Sequence, residues 1–76
     1  LFRPSTPQFG LANLLINIRP YDRKVEVFGP DDYYYIGDNT YQLLNNIAPG
    51  KYEIKIDDQL TKFFVPQNTT HYINEI

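Results

Sequence analysis

Leu43-Leu44-Asn45-Asn46-Ile47-Ala48-Pro49-Gly50-Lys51-Tyr52-Glu53-Ile54-Lys55-Ile56 decides how this chain folds. After the Pro-Gly corner, Tyr52, Ile54 and Ile56 alternate with Lys51, Glu53 and Lys55. Side chains along a strand point to opposite faces in turn, so this period of two describes a ribbon with one dry side and one wet side. The stretch just before the corner is less decided. Leu43, Leu44 and Ile47 would suit a helical turn, and Tyr41, Leu43 and Ile47 would suit a strand. The segment Thr40 to Ile47 is too short for an isolated helix, which favours the strand.

Working outward toward the N-terminus, the same alternation returns. Ala12 to Arg19 places Leu14, Ile16 and Ile18 on one face and Asn13, Leu15, Asn17 and Arg19 on the other. Two asparagines and two isoleucines disfavour a helix there. Arg19-Pro20 closes that strand, because a residue before proline avoids helical backbone and proline has no N–H to donate. Lys24 to Phe28 turns Val25 and Val27 inward, and Gly29-Pro30-Asp31-Asp32 breaks it. Tyr33 to Ile36 is a third strand, followed by a turn at Gly37-Asp38-Asn39. Toward the C-terminus, Asp57-Asp58-Gln59 is a tight polar loop. Leu60 to Val65 follows, with Phe63 and Val65 sharing a face, then a turn at Pro66 to Thr69 and a last strand over Thr70 to Ile76. About seven short strands with frequent turn signals predict an all-β fold, a small antiparallel Greek-key β-sandwich. Its expected inward set is Leu14, Ile16, Ile18, Val25, Val27, Tyr52, Ile54, Ile56, Phe63 and Val65. Residues 1–11, with two prolines and a glycine, read as an extended Pro-rich arm or linker, and residues 12–76 as the sandwich domain.

Composition narrows the chemistry. A chain of 76 residues makes one domain and buries only about 60% of its unfolded surface. There is no cysteine, which removes disulfides, thiolate nucleophiles and Cys-based metal sites together. A net charge of −2 without a basic patch argues against nucleic acid, and no apolar run is long enough for a membrane span. The abundance of Asn, Asp, Ile and Tyr matches the bias of AT-rich coding sequences and need not carry function. The chain starts at Leu1 without a methionine and reads as a mature product or a piece of something longer.

From Leu14 onward the order of features resembles a PEGA domain, a small sandwich of transthyretin-like or carboxypeptidase-regulatory-like type. The resemblance rests on Leu14 to Pro20, on Val25-Glu26-Val27 running to Gly29, on Leu44 through Pro49-Gly50-Lys51-Tyr52 to Ile56, and on the closing hairpin from Val65 to Ile76. At the four letters that name the family this chain has Pro20-Tyr21-Asp22-Arg23. The resemblance implies an accessory module of surface or multidomain proteins, with an extracellular or cell-surface setting favoured. It transfers no catalytic residue and no cofactor.

The side chains that could carry chemistry are few. His71 is the single histidine and Ser5 the single serine, in the N-terminal tail, so a nucleophilic triad is not expected. Asp31-Asp32, Asp38 and Asp57-Asp58 are scattered over loops, where aspartate is favoured for bonding nearby backbone amides, and match no calcium-loop spacing. Asn68-Thr69-Thr70 is a glycosylation sequon. The tyrosines are the one group suited to recognition, since each offers a flat apolar face and a hydroxyl. Tyr33 and Tyr35 share a face and can form a platform, with Tyr41 a further candidate contact and Tyr21 grouped with them, while the competing reading has tyrosines plugging the ends of the core. The expected function is therefore a non-enzymatic interaction or spacer module of a larger surface or assembly protein, its partner another protein or a neighbouring domain or subunit. A carbohydrate-binding module using exposed tyrosines, or a structural subunit of a virion or tail assembly, is the alternative. Open sheet edges would support strand or arm exchange between copies.

Overall fold

The computed structural model describes residues 6–75. They form seven strands and no helix: β1 (Ala12–Asn17), β2 (Val25–Phe28), β3 (Tyr34–Gly37), β4 (Tyr41–Ile47), β5 (Gly50–Ile56), β6 (Gln59–Val65) and β7 (Thr70–Ile73). Two sheets result, a three-stranded one in the order β4-β1-β7 and a four-stranded one in the order β3-β2-β5-β6. All pairs are antiparallel except β1 with β7, which run parallel. The ambiguous segment before the Pro-Gly corner is strand β4.

The core lies between the sheets. Leu14 and Ile16 from β1 meet Val25, Val27, Tyr52, Ile54 and Ile56 from the other layer. Of the expected inward set only Phe63 is not fully buried, and it packs half-buried against the core margin. Ala12, Leu44, Ile47 and Ile73 complete the core.

The expected wet face of β1 needs correction. Asn13 and Leu15 are buried, although both sit on the face turned away from the core. β1 is the middle strand of its sheet, and Leu15 is flanked by Leu43 of β4 and Tyr72 of β7. Asn13 is satisfied locally: β4 carries an irregularity opposite it, and the Asn46 N–H donates to Asn13 Oδ1 at 2.9 Å.

The Pro-Gly corner carries the chain from one sheet to the other. Gly50 has φ +143°, a conformation that side-chain-bearing residues rarely adopt, so the crossover requires glycine there. The two hairpins of the four-stranded sheet use another device. Asp31-Asp32 and Asp57-Asp58 each occupy the two central turn positions with positive φ, the pattern that matches the right-handed twist of the flanking strands. The Tyr33 N–H closes the first of these turns on Pro30 O at 3.1 Å. Asparagine and aspartate hold every non-glycine positive φ among the described residues, because their short side chains tolerate left-handed backbone.

The frequent asparagines thus have structural work to do. Asn46 Oδ1 accepts from the Gln8 N–H at 2.8 Å, and Asn68 Oδ1 accepts from the Gly10 N–H at 2.6 Å. The Asn68 N–H in turn donates to Leu11 O at 2.6 Å. Residues 8–11 are therefore not extended: the Leu11 N–H returns to Gln8 O at 2.9 Å, forming a turn tied to the sandwich. The rest of the proposed arm, through Ser5, lies outside the described residues, as does Ile76 at the end of the expected last strand.

At the opposite corner, buried Thr40 gathers the chain after β1. Its hydroxyl donates to Ile18 O and approaches Pro20 O at 3.1 Å, and its N–H donates to Tyr21 O at 2.9 Å. Arg23 links that corner to the β5–β6 turn, with Nη1 2.7 Å from Asp57 Oδ2 and further donations to Pro20 O and Arg19 O.

Candidate interaction surface

The tyrosine triplet divides as strand alternation demands, but the faces are not those a platform needs. Tyr33 and Tyr35 share the face that packs against the core, and both are half-buried. Tyr34 points outward and is half exposed. Its hydroxyl donates to Glu26 Oε2 at 2.7 Å, and this bond, with burial second, raises the phenol above its ordinary pKa. Tyr41 starts β4 in the other sheet, so the structure does not bring Tyr33, Tyr35 and Tyr41 onto one surface.

Tyr33 instead begins a line of rings that runs along the inside of the four-stranded sheet. Its ring meets Tyr52 edge-on at 5.9 Å, Tyr52 stacks on Phe63 at 5.9 Å, and Phe63 stacks on His71 at 5.8 Å with planes only 3° apart. The line crosses from β5 and β6 to β7 of the opposite sheet and closes that side of the sandwich. His71 is thus a packing partner of Phe63. The two aspartate pairs lie at opposite ends of the four-stranded sheet, since Val25 of β2 faces Ile56 of β5. Among the described residues no cluster of three or more His, Asp or Glu is placed to hold a metal ion.

Tyr52 is the centre of the line. It is buried, and its hydroxyl donates to Ala48 O at the Pro-Gly corner. Burial first, then the neighbouring Tyr33 and Asp31, pushes its phenol up to about 12. The Tyr33 phenol is raised too, by burial and then by Tyr35. The folded protein therefore holds these protons more tightly than the unfolded chain, whose tyrosines titrate near 10. The contribution of Tyr52 to stability is complete below pH ~10 and disappears as pH rises toward 12. Urea unfolding between pH 8 and pH 12 should show the midpoint falling above pH ~10, with a weaker fall in Tyr52→Phe. An unchanged alkaline limb in that variant would contradict the assignment to Tyr52.

No family model, curated protein or solved structure matches this chain. Any functional reading has to come from its own surfaces.

The two outer faces differ in kind. On the four-stranded sheet, Glu26, Lys51, Glu53, Lys55 and Lys62 spread both signs of charge between Phe28, Tyr34, Ile36, Leu60 and Phe64. On the three-stranded sheet, β1 contributes buried Asn13 and Leu15 and half-buried Asn17, while β4 presents Tyr41, Leu43 and Asn45, and β7 presents Thr70 and Tyr72. None of these described strand positions is charged. Tyr21 extends the surface beside Tyr41, with ring centres 5.3 Å apart, and is held by a 2.6 Å bond from its hydroxyl to Asn17 Oδ1. The Arg19 side chain lies over the Tyr21 ring at 5.6 Å, and its Nε–H donates to the Tyr21 hydroxyl at 3.1 Å. That bond raises the guanidinium pKa further above its already high ordinary value. Tyr72 was not among the contact residues singled out from the sequence. The signal available for it was the run of uncharged residues at alternate positions of β1, β4 and β7, which becomes one surface only when these strands are known to be neighbours.

Proposed function

We propose that this chain is a non-catalytic interaction or spacer module of a larger surface or assembly protein, and that it docks on a neighbouring domain or subunit through the outer face of the β4-β1-β7 sheet. The observation that carries this reading is the contrast between the two outer faces. Surfaces exposed to water on every side normally disperse charges of both signs, as the β3-β2-β5-β6 sheet does. Depletion of charge with retention of tyrosine is the composition of an interface centre. The partner surface is correspondingly uncharged, because a lone charge facing Tyr41, Leu43 and Tyr72 would lose water without gaining a counter-ion. A PEGA-like module in a multidomain chain fits this arrangement.

Hydroxyl-radical footprinting tests it, comparing the isolated 76-residue chain with the intact protein or assembly that contains it. Tyr41, Leu43 and Tyr72 should lose at least threefold of their labelling in the assembled form, while Phe28 and Tyr34 on the charged face keep theirs. Equal labelling of both faces in the assembled form rejects the reading.

A carbohydrate-binding module is favoured by one observation. Exposed Tyr41 and Tyr72 share the uncharged face with asparagine side chains, a pairing of ring faces and amides that suits a sugar. In that case Tyr41 and Tyr72 carry binding, and the half-buried Tyr33 and Tyr35 act on it only through the fold. A glycan array that is blank for the wild type removes this alternative.

A further inference from the structure

We infer that β6 is a self-pairing edge, through which two copies of this chain join their four-stranded sheets into one continuous eight-stranded sheet. This rests on the interaction-module reading above and names a second surface and its occupant.

The two sheets end in four edge strands, β4 and β7 in one and β3 and β6 in the other. β3 and β7 are each four residues long, and β3 ends in Gly37. β4 is interrupted opposite Asn13, and Gln8 is bonded to its Asn46. β6 is different. It runs seven residues, pairs with β5 in unbroken register, and contains no proline or bulge. Natural sheets usually protect such an edge with charges, prolines or bulges. Here the only charge on the strand is Lys62, between Leu60 and Phe64, whose exposures are 49% and 59%.

Backbone geometry then specifies the pairing. A two-residue hairpin closes on a hydrogen-bonded pair, which here is Ile56 with Gln59. Bonded and non-bonded pairs alternate along an antiparallel ladder. The odd-numbered residues of β6 therefore bond to β5, and Leu60, Lys62 and Phe64 turn their N–H and C=O groups to the open edge. A two-fold axis at Lys62 sets Leu60 against Phe64 of the second copy, Lys62 against Lys62, and Phe64 against Leu60. Every edge-facing backbone group of the strand finds a partner in this register. Shifting the axis to Thr61 or Phe63 leaves some of them beyond the strand.

Side chains follow the same symmetry. The order apolar–Lys–apolar on the outer face reads the same from both ends, so two Leu60–Phe64 contacts flank the centre. The two central lysines oppose each other, but each has Glu53 directly beside it on β5, with Nζ 3.9 Å from Oε2. The second copy is therefore the extended strand that best complements this edge.

Sedimentation equilibrium and amide exchange of the 76-residue chain, from micromolar to millimolar concentration, test the inference. The mass should rise with concentration toward twice 8.9 kDa. Over the same range the amides of Leu60, Lys62 and Phe64 should gain protection. Lys62→Pro removes an edge donor without touching the β5 ladder, so it should remain folded and lose dimerisation. Phe64→Lys keeps the backbone donors and should also be monomeric, through crowding of like charge on one face. Lys62→Val should tighten the dimer by about two- to fivefold, the effect expected for relieving one like-charged cross-strand pair. A wild type that stays monomeric at millimolar concentration overturns the inference. So does a dimer that persists in folded Lys62→Pro, or a concentration-independent exchange rate at the three amides. None of these outcomes alters the footprint expected on Tyr41, Leu43 and Tyr72, so failure of the β6 edge and failure of the module reading are separately visible.

Discussion

Ile54→Asp is expected to abolish cooperative folding. Ile54 is fully buried in the middle of β5, between Val27 of β2 and Thr61 of β6 in the ladder. The substitution removes an apolar side chain worth about 2–3 kcal/mol of burial. It also puts a carboxylate where the surrounding side chains offer no cation, and it must then either stay charged in an apolar core or take up a proton. Together these effects reach about 5 kcal/mol or more, within the whole stability of a domain this small. Far-UV circular dichroism and urea titration should show no unfolding transition. Lys51→Asp places the same side chain on the exposed side of the same strand and should shift stability by no more than about 0.5 kcal/mol. A cooperative transition in Ile54→Asp would refute the assignment of β5's inner face.

Gly29→Ala is expected to be nearly as damaging, for a steric reason. A Cβ at Gly29 would lie 2.2 Å from Tyr52 Cε2, 2.7 Å from Cδ2 and 2.9 Å from Cζ. The ring cannot easily yield. Tyr33 meets it edge-on, Phe63 stacks on it, and its hydroxyl is bonded to Ala48 O. Nor can the backbone, because the Gly29 N–H donates to Tyr33 O at 2.9 Å. Overpacking at so fixed a contact costs about 3 kcal/mol, the upper end of the usual range. Urea titration of Gly29→Ala, Tyr52→Leu and the double variant gives the decisive comparison. Tyr52→Leu removes the clashing ring atoms, so the second substitution should cost less in its presence, with a coupling of about 1–3 kcal/mol. Additive losses would mean that Tyr52 is not what excludes a side chain at Gly29.

These two substitutions differ in how far the sequence alone could foresee them. Ile54 follows from alternation with Lys51, Glu53 and Lys55, which needs no neighbour to be legible. Gly29 reads only as a strand breaker before Pro30. Its requirement comes from the ring of Tyr52, on a strand more than twenty residues away that pairs with β2. The tyrosine triplet shows the same division. Alternation separated Tyr34 from Tyr33 and Tyr35, but with aromatic residues on both faces it carried no sign of which face was dry. The pairing of β3 with β2, which sets Tyr35 opposite buried Val27, settled that.

What the sequence by itself determined is the class of fold: all-β, seven strands, a Pro-Gly crossover and nearly the whole inner set. These depend on local quantities, namely the period of two, the backbone limits of proline and glycine, and the turn chemistry of aspartate and asparagine. What only the tertiary structure decided is which surfaces remain for a partner. Asn13 and Leu15 are buried on the face turned away from the core, beside Thr70, Leu43 and Tyr72 of the strands that flank β1. Uncharged positions from β4, β1 and β7 become a single face because those strands are adjacent in space while distant in sequence. β6 is an edge because no strand follows it in its sheet. Adjacency between strands is set by the packing of the whole chain, and no local pattern encodes it.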